Sequence, residues 1–224
     1  MTTKAPDMFH RVPVALLLIT VFTLSSCRKE EDLDCTPGAS SATLDIGMFS
    51  QLAIGNYWVY ERWQVDSLDV PINANVRIDS LFITGDTVLN GLTYAVIREA
   101  QNGGLVPMQR FWRDSADCIV TSDHEILFCS ATFNQVVYTH LQSPFLQTDY
   151  SVSSAMVPLA VPAGEFSAFV MRGQVTSFAP YPVLPEWKHP RSYWAYGVGR
   201  LKWSVTFMSS PFAFRYELLR YHIG

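Results

Sequence analysis

From residue 56 onward the chain arranges its apolar and polar positions at the period of a strand. No stretch of twelve residues holds a 3.6-residue period. Tyr57-Trp58-Val59-Tyr60-Glu61-Arg62-Trp63-Gln64-Val65 is aromatic and β-branched, the composition that suits a pleated surface. Residues 76–84 alternate, with Val76, Ile78, Ser80, Phe82 and Thr84 on one side and Arg77, Asp79, Leu81 and Ile83 on the other. Asn90-Gly91 stands between two apolar arms and predicts a type I′ hairpin, because that turn needs positive φ at both central residues. Gly85-Asp86 predicts a bulge in the first arm. Further strands fit 108–113, 117–121, 126–132, 134–141, 165–178, 193–207 and 212–223. Phe49 to Ile54 fits one helical turn. Residues 142–164 have an ambiguous pattern, with a loop across one end of the sheet as one reading, and the prolines at 180, 182, 185 and 190 mark a long loop at 179–191. The expected fold is all-β, an antiparallel meander over 45–224 in a single domain. The pattern leaves open whether it forms a curved sheet, a barrel or a sandwich.

The first 26 residues follow a different rule. Lys4 and Arg11 precede an uncharged apolar run at 12–24, which is shorter than the roughly 20 residues a spanning helix needs. A basic start, a short apolar centre and small residues after it describe a secretion signal. Leu24-Ser25-Ser26-Cys27 resembles a bacterial lipobox. The resemblance implies cleavage before Cys27, lipidation of its thiol and acylation of the new amine. Two or more acyl chains hold a protein stably on a membrane where one does not. Arg28-Lys29-Glu30-Glu31-Asp32 resembles the surface-export signal of Bacteroidetes-type lipoproteins, against the plainer reading of a solvated tether. Residues 27–44 are therefore expected to be a lipidated cysteine and a flexible tether, with a reach of roughly 20–25 Å. The expected address is the outer membrane of a bacterial envelope.

Composition agrees with a packed β body. Apolar residues make up 49% and charged residues 16%, too apolar for a disordered chain. The 14 Phe, 6 Trp and 10 Tyr supply large core side chains. A net charge of −4 argues against a broad nucleic-acid surface.

Four cysteines divide between several tasks. Cys27 is the lipid site. Cys118 and Cys129 flank a hairpin whose turn centres on Asp123-His124, and that centring sets the two thiols opposite each other. An exported protein permits a Cys118–Cys129 disulfide, with two buried reduced thiols as the rival reading. Cys35 has no evident partner in sequence, and no pair of cysteines has zinc-site spacing.

Three phrases occur together: Ile54-Gly55-Asn56-Tyr57-Trp58-Val59-Tyr60, Val161-Pro162-Ala163-Gly164-Glu165-Phe166 and Tyr196-Gly197-Val198-Gly199-Arg200-Leu201-Lys202. With them the chain resembles a group of uncharacterised Bacteroidetes-type lipoproteins whose body is a single β-rich domain. The resemblance implies envelope location and a β fold, and it carries no catalytic residue. The phrases themselves read as architecture: turns at Gly55 and Gly164, and a bend or close backbone approach at Gly197 and Gly199.

Candidate chemistry is sparse. Zinc-protease, serine-hydrolase and phosphate-loop motifs are all missing from the sequence. Asp123-His124-Glu125 is a dense ionisable cluster, read as a solvated hairpin tip rather than a metal site. No cofactor and no metal is expected. Trp187, Tyr193 and Trp194 lie beside the proline-rich loop and are the candidate ligand-binding residues, for sugar rings or peptides. Two classes of function remain. One is a lipid-anchored envelope protein whose domain binds a glycan, an apolar ligand or an envelope protein. The other is an envelope hydrolase that assembles distant His, Asp and Glu side chains, with His189 or His222 beside a carboxylate.

Overall fold

The computed structural model of the protein describes residues 44–178 and 183–224. The signal segment, Cys27, Cys35, nearly all of the tether, and Pro180 and Pro182 lie outside the described residues. A short helix α1 (Gly47–Ser50) precedes β1 (Tyr57–Val65), β2 (Arg77–Leu89), β3 (Leu92–Gln101), β4 (Gly104–Ser115), β5 (Cys118–Thr121) and β6 (Ile126–Cys129). There follow β7 (Val136–Ser143), β8 (Leu146–Val152), β9 (Val157–Val161), β10 (Gly164–Ser177), a 3₁₀ turn (Glu186–Lys188), β11 (Arg191–Ala195), β12 (Gly199–Thr206) and β13 (Ala213–His222).

Twelve strands follow one path in the order β6-β5-β4-β3-β2-β1-β13-β12-β11-β10-β8-β7, and β9 pairs with β10 off that path. The sheet curls into a nearly closed barrel. Its two ends are β6 and β7, which follow one another in the chain. Across the seam between them His140 Nδ1 stands 3.8 Å from Glu125 Oε1.

Local chemistry accounts for the turns. Asn90 and Gly91 take φ of 52° and 78°, the pair of positive values a type I′ turn demands, and the β2–β3 register slips between Ile83 and Gly85 where the bulge is expected. Cys118 pairs directly with Cys129 and the two sulfurs are bonded. The β5–β6 register then shifts at Val120, which pairs with Ile126. Thr121 Oγ1 accepts the N–H of Glu125 and so caps the turn.

Three expectations need correction. Residues 142–164 are not a loop across the sheet, since they hold β8 and β9. Thr148 and Tyr150 face inward there with Val152, so polar atoms sit on both faces and blur the alternation. The expected strand 193–207 is two strands, broken at 196–198, where Gly197 donates its N–H to Met48 O at 2.8 Å. Gly199 follows at φ +100°, with Phe49 O 3.2 Å from where a Cβ would stand, so a side chain there would meet helix backbone. The helical turn is Gly47–Ser50 rather than Phe49–Ile54, and it ends where Gln51 turns left-handed at φ 50°.

Side chains fill most of the barrel. Near α1 the filling is apolar: Trp58, Tyr60, Leu81, Ile97, Leu201 and Leu218 form one cluster, and Phe49, Phe128, Phe169 and Trp194 another. Phe49 is fully buried, with ring centres of Phe128, Tyr196 and Phe169 at 4.8, 5.6 and 5.8 Å. Trp58 Nε1 donates to Val198 O at 2.7 Å, and Tyr60 Oη donates to Arg200 O at 2.9 Å. These two of the four aromatics of β1 thereby hold the backbone at the start of β12. Towards the other end the filling turns polar. Arg62 Nη1 lies 3.2 Å from Asp79 Oδ2, and burial raises the Asp79 carboxyl above its ordinary range while Arg62 pulls it back. The Arg62 guanidinium also stands 5.5 Å from the Phe214 ring centre and 5.8 Å from that of Tyr216.

The Trp58 bond to Val198 is buried, so Trp58→Phe keeps an aromatic ring and strands a carbonyl. We expect a loss of about 1–3 kcal/mol in urea unfolding. An unchanged midpoint would show that the bond does not hold β12 in place.

Candidate functional site

A cavity of about 530 Å³ forms a groove on the outer face of β11, β12 and β13, at the end of the sheet away from α1. The alternation of these strands builds its floor. Tyr193 pairs with Lys202, and Lys202 pairs with Glu217, so all three project outward while Trp194, Trp203 and Tyr216 project inward. Lys202 Nζ meets Glu217 Oε1 at 2.9 Å, and Arg215 Nε stands 3.5 Å from the same oxygen.

Two segments wall the groove. One is the loop at 66–70. Its Asp66 carboxylate accepts the N–H groups of Leu68 and Val70 at 2.8 and 3.0 Å, an Asx turn that holds the loop in shape. Asp69 takes φ +63° and reaches Arg215 at 3.2 Å and Lys202 at 3.6 Å. Arg215 Nη1 also donates to Asp69 O at 2.7 Å. These charges are partly exposed, so they add little stability and mainly fix the loop over the floor.

The other wall is the segment Pro185–Arg191. Glu186 forms ion pairs with Arg172 at 2.8 Å and with Arg191. Lys188 is buried and donates to the carbonyls of Phe207 and Ser210. Burial lowers its pKa, and its ammonium covers the Trp187 ring at 4.0 Å from the ring centre.

Trp187 and Tyr193 both line this groove and are half-buried. Trp194 does not join them. It is 2% exposed, stacks on Phe128 with ring centres 5.3 Å apart, and donates Nε1–H to Ser192 Oγ at 3.0 Å. Adjacent residues of one strand face opposite sides of a sheet, which separates Trp194 from Tyr193.

The histidines are spread out. His189 lines the groove, but its Nδ1 accepts the Val175 N–H at 2.8 Å. His222 stacks on Tyr57. His140 stands 3.8 Å from Glu125, beyond hydrogen-bond length. His124 occupies the hairpin tip at φ +65°, and among the described residues no three His, Cys, Asp or Glu side chains converge as a metal site would require.

Sequence reasoning missed the loop at 66–70, Lys202 and Arg215. The Asp66-x-x-Asp69 spacing followed by Pro71 signals a turn, but nothing local says which strands it will cover.

No protein-family profile matches the chain. No curated protein matches it either. Among solved structures, it is similar to a protein of Bacteroides fragilis classed as exported, with a YmcC-like fold, at 10% identity and a TM-score of 0.44 over 76% of this chain and 96% of that one. It is also similar to a protein of Parabacteroides distasonis classed as a lipoprotein, at 10% identity and a TM-score of 0.42 over 76% of this chain and 96% of that one. Both come from Bacteroidetes.

The Val175 bond settles the tautomer of His189: the neutral ring carries its proton on Nε2, and a second proton on Nδ1 would break the bond. Burial lowers the His189 pKa; Glu186 pulls it up, and Arg172 and Arg191 push it further down. The unfolded ring titrates near about 6.5. As the pH falls through that value the unfolded chain takes the proton first, so stability declines from there towards the lower folded pKa. We expect the urea midpoint to drop between pH 8 and pH 5.5. His189→Asn keeps an acceptor for Val175 and should flatten that drop. Equal pH dependence in both proteins would refute the assignment.

Proposed function

We propose that the protein is exported, lipidated on Cys27 by acyl chains such as palmitate, and held at the outer membrane, where its β-rich domain binds a glycan in the outer-face groove. The observation that carries the binding half is the pairing of Trp187 and Tyr193 with Lys202, Arg215, Asp69 and Glu186 around one concavity. Sugar rings present apolar C–H faces to aromatic rings and hydroxyls to charged and polar groups, and this groove offers both. An apolar ligand would suit a hollow barrel, whereas here Trp58, Tyr60, Trp194, Leu201 and Leu218 occupy much of the interior. The anchoring half rests on the basic start, the short apolar run and Leu24-Ser25-Ser26-Cys27.

The two halves are tested separately. Cys27→Ala should move the protein out of the membrane fraction, and a variant that stays membrane-bound would overturn the anchor. For the groove, a panel of soluble neutral and acidic oligosaccharides is titrated against the full chain in detergent. We expect at least one to bind, with Trp187→Ala weakening it about tenfold or more and Trp58→Phe leaving it unchanged. Failure of the whole panel, or equal binding by Trp187→Ala, would overturn the groove reading.

A further inference from the structure

A second cavity, about 150 Å³, lies on the inner face beside the seam, between β6 and β7 on one side and β12 on the other. It is many times the roughly 10–15 Å³ that seats one water. The register places its lining. Tyr138 pairs with Tyr150, Tyr150 with Gly173, Met171 with Ser192 and Ser192 with Trp203, so these side chains share the inner face.

Arg200 forms the inner wall. Its guanidinium carbon lies 3.9 Å from the ring centre of Trp203 and 5.6 Å from those of Trp112 and Trp194. Its Nε is buried without a hydrogen-bond partner among the described residues. The groups that act on its charge are Tyr60, Tyr216 and Arg110, with no carboxylate among them. Another inward-facing arginine, Arg62, faces Asp79, and Arg110 faces Glu99. A cation lodged among rings without a counter-charge is costly unless an anion joins it.

Beside Arg200 the cavity lining offers the hydroxyls of Ser192, Tyr138 and Tyr150 as donors, with Glu125 and His140 at the seam. Ser192 Oγ already accepts the Trp194 N–H at 3.0 Å, which leaves its own proton to give. Tyr138 and Tyr150 stack with ring centres 5.8 Å apart. Burial, helped by Glu125, pushes the Tyr150 hydroxyl up to about 12, so it is a donor at neutral pH. Glu125, the acid of this cavity, sits half-exposed against His140 at the seam.

We infer that this cavity is a binding site for a small oxyanion, a carboxylate or a phosphate group, held by Arg200 with Ser192 and Tyr150 as donors. Charge-assisted bonds to a guanidinium in such surroundings are among the strong ones. The site shares Arg191, Trp203 and Ser204 with the lining of the outer-face groove but centres on Arg200, Ser192 and Tyr150, which that groove lacks, and it does not rest on the glycan reading.

The test titrates the full chain in detergent with sodium acetate, sodium butyrate and inorganic phosphate at pH 7, at constant ionic strength made up with sodium chloride. Tryptophan fluorescence reports the site, since Trp112, Trp194 and Trp203 surround Arg200, and calorimetry confirms stoichiometry. We expect saturable one-to-one binding of a carboxylate or of phosphate, and which of them binds identifies the source of the oxyanion. Arg200→Met keeps the stacked stem and should abolish binding. Tyr150→Phe keeps the ring and should weaken it about tenfold. If Arg200→Met fails to fold, Tyr150→Phe and Ser192→Ala decide the question. A wild-type response no larger than that to chloride, or unchanged affinity in the folded variants, would overturn the inference.

Discussion

The pairing of β1 with β13 is the constraint on which the rest of the structure depends. Strands β1 to β6 form one meander, and β7 to β13 form a second run in which β10 pairs with β8 and carries β9 off the path. Joined only by the chain between β6 and β7, the two would each show an open edge. The ladder from Tyr57↔His222 to Val65↔Ala213 joins the first strand to the last and makes one sheet of both. Its contacts are the most distant in sequence, so its formation carries the largest loop-closure cost and is repaid only when the barrel interior packs. Trp58 and Tyr60 show the repayment: they leave β1, pass β13 and bond to the backbone of Val198 and Arg200 on either side of the start of β12.

That arrangement turns β11 and β12 into a partition between two environments. Tyr193 and Lys202 look outward into a groove whose charges are already paired by Asp69, Glu217 and Glu186. Ser192, Trp203 and Arg200 look inward into a smaller cavity where a cation stands among rings. The chemistry of the two faces is opposite. Outside, salt bridges position flat aromatic surfaces; inside, aromatic surfaces position an uncompensated charge.

Much of the fold can be read from residues whose local demands are strong. Asn90-Gly91 and Gly85 set the β2–β3 hairpin by backbone conformation alone. Cys118 and Cys129 face each other as a turn centred on Asp123-His124 predicts, although the register slips by one residue between Ile119 and Val120 on the way to that turn. Other features depend on partners distant in the chain. Strand β8 is hidden because its inner face carries Thr148 and Tyr150, whose polar atoms imitate a solvated side. Arg200 is the clearest case. By simple alternation it shares a face with Lys202, yet the register slips between Tyr193 and Trp194, so Trp194 pairs with Arg200 and Tyr193 with Lys202. One extra residue at Leu201 sends the two cations to opposite sides of the sheet. A bulge leaves little trace in sequence, so Arg200 reads as architecture until the register is known. Tyr193 and Trp187 stand out as aromatics beside a proline-rich loop, whereas the loop at 66–70 that completes their groove is brought there by the β1–β13 ladder.

Native-state hydrogen exchange measured residue by residue tests that ladder most directly. The account predicts that the amides pairing Tyr60 to Trp63 with Arg215 to Leu218 exchange last, by global unfolding, with the local β2–β3 hairpin opening earlier. If the β2–β3 hairpin stays protected while the β1–β13 amides exchange first, the two meanders are independent units and the barrel is not held by its first and last strands.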